Sequence, residues 1–236
     1  MGNLSQSEVM EFCDRLRRIP VAVVSDVMAF AGLSDQVIAS SIYQLNPAPR
    51  FSGSAACFSG EAGPERSTLT GAARLIYDAD RRLTQGSVAV VGTGGFTVAA
   101  VLGGNTLAGW RKRGCVGVIS DGLARDVADL GDFPTFASGV TPLSSQGRWA
   151  YLSLEAPVAL PGQSAAQVIV HPGDIVHGDR DGVIVIPRRH LAQMVADAEI
   201  AEGVEQHMHD QIEAGHDRGE VYLSNDRFGH IRPVGR

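Results

Sequence analysis

Arg125 and Asp126 stand out chemically in this sequence, because an arginine and an acid lie in the loop that follows a short apolar run. That run, 116–120, is rich in β-branched residues, which predicts a buried strand. In parallel α/β sheets, ligands bind at the carboxyl ends of the strands. There a guanidinium can hydrogen-bond a carboxylate or a developing enolate oxygen, and a carboxylate can hold Mg²⁺ or Mn²⁺. A plain surface ion pair is the alternative, and the local sequence alone slightly favours it.

A second group of candidate residues precedes this strand. Gly103 and Gly104 lead to Asn105, a good N-cap, which predicts a helix over 106–113. The amides of a helix N-terminus carry partial positive charge, so this turn could bind a carboxylate or phosphate. Turns use the same residues, and the signal is therefore weak by itself. The candidate substrate-binding positions are Gly103, Gly104, Asn105, Thr106 and Leu107.

The elements that would position these residues are predicted from periodicity and turn residues. Strand 87–92, helix 106–113 and strand 116–120 form a strand-helix-strand unit. Further helices are predicted over 5–18, from a cap at Ser25 or Asp26 to Phe30, over 69–81 and over 188–209, and further strands over 43–58 and 133–136. Ser25 and Asp26 have a second interpretation, as a polar pair in a pocket. The stretch 175–186 is predicted to be a hairpin, with Asp179 and Asp181 in a plain turn.

Composition limits the possible functions. The chain has 236 residues and a net charge of -6, which argues against nucleic-acid binding and fits one domain over 1–217 with a tail over 218–236. Neither an N-terminal apolar signal region nor a run of about 20 apolar residues is evident, so we expect a cytoplasmic protein that does not bind membranes. The three cysteines show no CxxC spacing, and we expect free thiols in a reducing compartment.

Several spaced motifs carry a family resemblance. The runs 113–118 and 121–126 resemble the R-G-x-x-G-V-V-x-D-G-x-x-R-D signature of the RraA-like family. That family includes 4-hydroxy-4-methyl-2-oxoglutarate aldolases, oxaloacetate decarboxylases and the regulator of ribonuclease E activity. The resemblance extends in order over 24–26, 133–134, 136–137, 139–142, 172–174, 178–179 and 181–187.

The resemblance implies both a fold and an activity. It implies an α/β fold with a swivelling β/β/α core, assembled as a homotrimer or a dimer of trimers. Arg125 matches the arginine that contacts a 2-keto acid, and Asp126 matches the acid that holds a divalent metal, Mg²⁺ or Mn²⁺. The 105–107 amides match the site for the substrate carboxylate, and Glu205 matches a glutamate that the adjacent subunit supplies to the metal's water shell.

One position departs from the family pattern. Aldolases of the family carry an acid 21 positions before the arginine, where this chain has Gly104, followed by Asn105. Asparagine can orient a water but cannot accept a proton as a carboxylate does. We therefore expect a metal-dependent lyase that acts through a pyruvate enolate and decarboxylates oxaloacetate more readily than it cleaves an aldol. The alternatives are a lyase on a different keto acid and a non-catalytic binding protein of the ribonuclease E inhibitor type.

Overall fold

The computed structural model describes residues 4–63 and 71–235. The helices are α1 Gln6–Leu16, α2 Val21–Phe30, α3 Gly71–Arg82, α4 Gly104–Lys112, α5 Leu191–Glu213 and α6 Arg218–Ser224. The strands are β1 Tyr43–Gln44, β2 Phe51–Ala62, β3 Ser87–Gly92, β4 Ala100–Leu102, β5 Gly117–Ser120, β6 Leu123–Ala124, β7 Thr135–Ala137, β8 Trp149–Leu154, β9 Val158–Pro161, β10 Gln167–Val170, β11 Ile175–Asp179 and β12 Gly182–Ile186.

The main sheet has a parallel centre and antiparallel margins. Its order within the described residues is β1-β7-β5-β3-β2-β11-β12, with β8 pairing beside β2. Strands β2, β3, β5 and β7 run parallel, while β1, β8, β11 and β12 pair antiparallel with their neighbours. The nearly closed sheet with flanking helices confirms the predicted α/β fold class with a swivelling β/β/α core.

Alternation along the strands divides the core into layers. In β3, Val88 and Val90 pack in one hydrophobic cluster, whereas Ala89 and Val91 pack in another with helix α4. A strand side chain points to the opposite face from its neighbour, so a fully apolar strand can serve two layers at once. The third cluster joins α1, α2 and α5 to β11 and β12. Strand β3 therefore holds the centre of the fold, and helices α4 and α5 belong to different clusters.

Most of the predicted elements are confirmed. Helix α1 begins after Ser5, which forms a reciprocal capping box with Glu8. The hairpin of β11 and β12 has the predicted turn, in which Asp179 accepts a hydrogen bond from the Asp181 amide. Helix α3 matches the predicted helix over 69–81, of which 69 and 70 lie outside the described residues. The long C-terminal helix begins with a 3₁₀ turn over Arg188–His190 and continues as α5.

Two predicted helix starts are wrong. Helix α2 begins after Pro20, so Ser25 and Asp26 lie inside it and cap nothing. Val21, Val24 and Val27 recur at helical spacing and are buried on one face of α2. The stability gained by this burial outweighs the preference of valine for strands. Helix α4 has Gly103 as N-cap, and Asn105 is its second residue.

The described part of the tail lies against its own chain. Ile231 is buried in the cluster of α1, α2 and α5, and the Phe228 ring stacks on Phe30 with centroids 4.3 Å apart. The Val234 amide donates to the carbonyl of Ala31 over 3.0 Å. The division at residue 217 stays a prediction, but this segment contributes to the core of the domain.

The three cysteines are buried and unpaired, as predicted. Burial raises the pKa of the Cys57 thiol to about 12 and that of the Cys115 thiol to about 11. Thiols in such surroundings are inert packing residues. Among the described residues, none of the helices is long and apolar enough to cross a bilayer.

Candidate active site

A small two-stranded sheet brings the two predicted halves of the site together. Strand β6 follows β5 after two residues and pairs in parallel with β4, and the Arg125 amide donates to the carbonyl of Leu102 over 2.9 Å. The end of β6 therefore lies beside the start of α4. This pairing places Arg125 and Asp126 next to Gly103 and Gly104, as the sequence predicted.

The backbone of Asp126 is in the left-handed region, with φ of 61° and ψ of 37°. Aspartate adopts this conformation more readily than most residues other than glycine, but it still costs energy, and such residues cluster at functional sites. A 3₁₀ turn, Val127–Asp129, follows directly, and the Asp129 amide donates to the Asp126 carbonyl over 3.0 Å. The tight turn directs the Asp126 carboxylate back toward α4.

The Asp126 carboxylate caps the N-terminus of helix α4, although it lies 22 residues after Gly104 in the sequence. Its Oδ2 accepts a hydrogen bond from the Gly104 amide over 3.0 Å and lies 3.6 Å from Arg125 Nε. Both contacts are made by Oδ2, and Oδ1 has no hydrogen bond within the described part of the chain. The side chains of Arg125 and Asp126 are 39% and 43% exposed, so water still screens the pair. A ligand could approach both charged groups from solvent.

The absence of side chains at Gly103 and Gly104 allows this close approach. A Cβ at Gly103 would lie 3.3 Å from Arg125 Nε, and a Cβ at Gly104 would lie 3.1 Å from Asp126 Cβ. An acid at Gly104 would thus point at the Asp126 carboxylate. The position that departs from the family pattern is therefore a neighbour of the predicted metal ligand, and this chain leaves it open.

The predicted binding amides differ in availability. Leu107 donates its amide hydrogen to the Gly103 carbonyl over 3.1 Å, as the first hydrogen bond of the helix, and its side chain is buried. This amide is therefore engaged within the helix, and its predicted substrate-binding role stays a prediction. The amides of Asn105 and Thr106 occupy the first helical turn, where amides lack partners in the helix. The substrate-binding role of these two amides stays a prediction.

Sequence reasoning missed the role of Asp121. This buried carboxylate accepts hydrogen bonds from the amides of Thr93 over 2.6 Å and Gly95 over 2.8 Å. The Ser138 hydroxyl donates to the Asp121 carbonyl over 2.9 Å. Asp121 therefore ties the loop after β3 and the residue after β7 to the end of β5. Its position directly after an apolar run, beside Gly122, was the available signal.

Glu205 is not brought to this site within one chain. It lies on α5, and its Oε2 accepts a hydrogen bond from Arg227 Nη1 over 2.7 Å. Burial raises the pKa of the Asp26 carboxyl. The charge of Arg227 lowers this pKa and that of Glu205 raises it, so all three side chains interact. Among the described residues, no three or more His, Cys, Asp or Glu side chains are grouped to hold a metal. A role for Glu205 in a neighbouring subunit stays a prediction.

Comparison with known proteins decides the family. A family model described as Aldolase/RraA matches residues 21–185. The chain belongs to the RraA-like family. The match includes β2 through β11, and with them every residue of the Arg125 and Asp126 site.

Several relatives of this chain carry a name that concerns one reaction. A Halalkalibacterium halodurans protein named "Putative 4-hydroxy-4-methyl-2-oxoglutarate aldolase" is 29% identical over 187 residues, which are 78% of this chain and 80% of the relative. A Burkholderia multivorans protein of the same name is 34% identical over 64% of this chain and 88% of its own length. An uncharacterized Methanocaldococcus jannaschii protein is 35% identical over 56% of this chain and 61% of its own length.

Solved structures share the fold at lower identity. An uncharacterized protein from Pseudomonas syringae superposes with a TM-score of 0.77 at 21% identity, over 94% of this chain and all of that one. Streptomyces coelicolor RraAS2, described as an unusual member of the RNase ES inhibitor RraA protein family, gives 0.73 at 23% identity, over 85% and 98%. These likenesses concern the fold alone.

Proposed function

We propose that the protein is a divalent-metal-dependent lyase that acts on a 2-keto acid through a pyruvate enolate. One observation carries the proposal: a half-exposed arginine and a half-exposed acid meet at a helix N-terminus whose first residues have no side chains. A cation, a metal ligand and two backbone donors are what a keto acid with a carboxylate needs. Relatives named for a keto-acid aldolase support the same reaction class.

Asp126 is the residue that would hold the metal. Mg²⁺ often binds proteins through one or two carboxylates and keeps several waters, so a single acid with an unengaged oxygen suits it. Bound Mg²⁺ or Mn²⁺ acts as a Lewis acid toward the oxygens of a 2-keto acid. In this proposal Glu205 reaches the metal's water shell from the adjacent subunit of a trimer, after it releases Arg227 or shares it.

Arg125 would bind the ketone oxygen. When the bond between C3 and the leaving carboxylate of oxaloacetate breaks, its electron pair forms the enolate and CO₂ departs. Negative charge then collects on the ketone oxygen, where the Arg125 guanidinium donates a charge-assisted hydrogen bond. The Asn105 and Thr106 amides would bind the other carboxylate at the positive end of α4.

The open Gly104 position favours decarboxylation over aldol cleavage. Retro-aldol cleavage must also remove the proton of the C4 hydroxyl, which requires a base. Gly104 offers no side chain, and the Asn105 amide is not a base. We therefore expect oxaloacetate to be the better of the two substrates.

The test is an assay of both substrates with Mg²⁺ and with Mn²⁺. We expect decarboxylation of oxaloacetate that stops when EDTA removes the metal and returns when the metal is restored. Efficient cleavage of 4-hydroxy-4-methyl-2-oxoglutarate with no action on oxaloacetate would reverse the substrate order. If neither substrate reacts under any metal condition, the regulatory binding role of the ribonuclease E inhibitor type becomes the better proposal.

A further inference from the structure

One cavity lined by described residues lies away from Arg125 and Asp126. Its volume is about 520 Å³, within the usual range of small-molecule sites. Ser54 and Ser87, which are register partners at the amino end of the parallel β2–β3 pair, both line it. The candidate active site lies at the opposite, carboxyl end of these strands. There β3 ends at Gly92, and the amide of the next residue, Thr93, donates a hydrogen bond to Asp121.

The charges of this cavity are mostly positive although the chain has a net charge of -6. Arg17, Arg82 and Arg188 line it, against one carboxylate, that of Glu155. Arg82 and Glu155 pair with each other over 2.7 Å, and both are about half exposed. Because that pair is neutral as a unit, the remaining charge comes from Arg188 and from Arg17, whose Nη1 also pairs with the exposed Asp14 over 2.5 Å.

Arg17 and Arg188 both lie close enough to Cys13, which also lines the cavity, to affect its thiol. Both lower the pKa of the Cys13 thiol, although burial has the larger effect and raises it. Arg188 Nη2 donates to the Leu4 carbonyl over 2.7 Å, and Arg17 Nη2 donates to the Ser52 carbonyl over 3.3 Å. A guanidinium has five N–H donors, so each side chain is held by its backbone contact, and that of Arg17 also by Asp14, while donors remain for a ligand.

Part of the remaining lining is apolar, beside polar residues such as Gln6 and Gln85. Val9 and Met10 of α1 line one side, and Pro172 lines another. Such walls favour a hydrocarbon or aromatic body over a bare inorganic ion. The two arginines provide a place for one anionic group.

We propose that this cavity binds a small organic anion, whose carboxylate or phosphate pairs with Arg17 and Arg188 and whose apolar body packs against Val9 and Met10. This site is separate from the lyase site and does not depend on the proposed reaction. Its ligand class is amphipathic, with a single carboxylate or phosphate head.

The experiment is calorimetric titration of the full chain with 3-phenylpropionate, phenylphosphate and the neutral benzyl alcohol. Arg17→Gln and Arg188→Gln each remove a proposed ligand contact. Arg18→Gln and Arg189→Gln are matched controls, because these neighbouring arginines are exposed and do not line the cavity. Arg125→Gln tests whether the anion instead binds at the candidate active site. Thermal melting establishes that each variant is folded.

We expect at least one of the two anions to bind saturably and benzyl alcohol not to bind. Binding by only one anion identifies the head group. Arg17→Gln and Arg188→Gln should each weaken binding roughly tenfold, which is the size of one charge-assisted hydrogen bond, and the three other variants should change it less than about twofold. If a variant fails to fold, the amide NMR shifts of the unaltered protein at Ala55 and Ala56, on the cavity wall, provide the same test. The proposal is overturned if neither anion binds up to 10 mM, or if Arg125→Gln abolishes binding while Arg17→Gln and Arg188→Gln do not.

Discussion

Asp126 has two roles at the residue scale, and they predict different losses on mutation. As a helix cap it needs one oxygen that accepts from Gly104, which asparagine also offers. As a metal ligand it needs a charged carboxylate. Asparagine also tolerates the left-handed backbone, so the substitution separates the two roles.

We predict that Asp126→Asn keeps the fold and loses the reaction. The rate of oxaloacetate decarboxylation should fall on the order of a hundredfold or more, because a metal and its charge stabilisation are lost. The melting temperature should stay close to that of the unaltered protein. Asp129→Asn, three residues later on the exposed turn, is the control and should keep full activity. Equal activity of both variants would rule out Asp126 as the metal ligand.

His177 is buried outside the site and should control the acid stability of the protein. Its Nδ1 and Nε2 each lie 3.1 Å from a carbonyl oxygen, of Phe51 and of Ile19. Burial lowers the pKa of His177 to about 4, which outweighs the opposite effects of both carbonyls and of Asp179. The folded protein therefore holds a neutral imidazole at pH values where the unfolded chain, with a pKa near 6.5, is protonated.

The resulting prediction is a loss of stability between about pH 6.5 and pH 4. In that range the unfolded state binds one more proton, so the free energy of unfolding decreases as pH falls, by about 3 kcal/mol for a pKa lowered to about 4. Denaturant titrations at pH 7 and pH 4.5 measure the difference. His177→Gln should reduce that difference, whereas His207→Gln, on the exposed face of α5, should not. An unchanged pH dependence in His177→Gln would contradict the assignment.

At the element scale, the strands were easier to predict than the helix starts. Strand β3 matches its prediction over 87–92 because all its residues are apolar or small and turn residues bound it. The predicted start of α2 is wrong because its valines are buried against α5, which lies far away in the sequence. The predicted cap of α4 is wrong for a similar reason. The side chain that accepts a hydrogen bond from the first turn belongs to Asp126, which is not a neighbour in sequence.

The same limit applies to the candidate site. The sequence predicted that Arg125 and Asp126 meet Gly103 and Gly104, because both motifs lie at the ends of elements in one strand-helix-strand unit. It did not predict that Leu107 is occupied within the helix, or that Glu205 pairs with Arg227. Hydrogen-bond partners depend on the final packing, and the residue types alone do not determine them.

Mutation of Asp121 tests whether this residue anchors the loop after β3 to the end of β5. We predict that Asp121→Asn lowers the free energy of unfolding by about 2 kcal/mol, because a buried carboxylate that accepts two amide hydrogens is replaced by a group with one acceptor oxygen. Urea titration measures this loss. Asp132→Asn, which breaks only the exposed pair with Arg111, should cost less than about 1 kcal/mol. Similar losses for both variants would show that Asp121 does not anchor the loop.

At the scale of the whole molecule, exposed apolar side chains lie in the segments next to the β4–β6 sheet beside the site. Val98, Val140 and Leu143 are 63%, 56% and 41% exposed. Residues 140 and 143 join this small sheet through the Ala124 bridge and a hydrogen bond to the Ala100 amide. Grouped apolar residues of this kind mark protein interfaces. A neighbouring subunit that covers them would also lie next to Arg125 and Asp126.

We therefore predict that the protein assembles through this surface and that assembly is required for activity. Sedimentation should give the mass of three or six chains of 24.9 kDa. Val98→Glu together with Val140→Glu should give monomers with little decarboxylase activity, because Glu205 would no longer reach the site from a neighbour. Ile169→Glu, at a residue on β10 that is 45% exposed, should leave both the assembly and the activity intact. A fully active monomer would show that one chain completes the site and that Glu205 has no role in it.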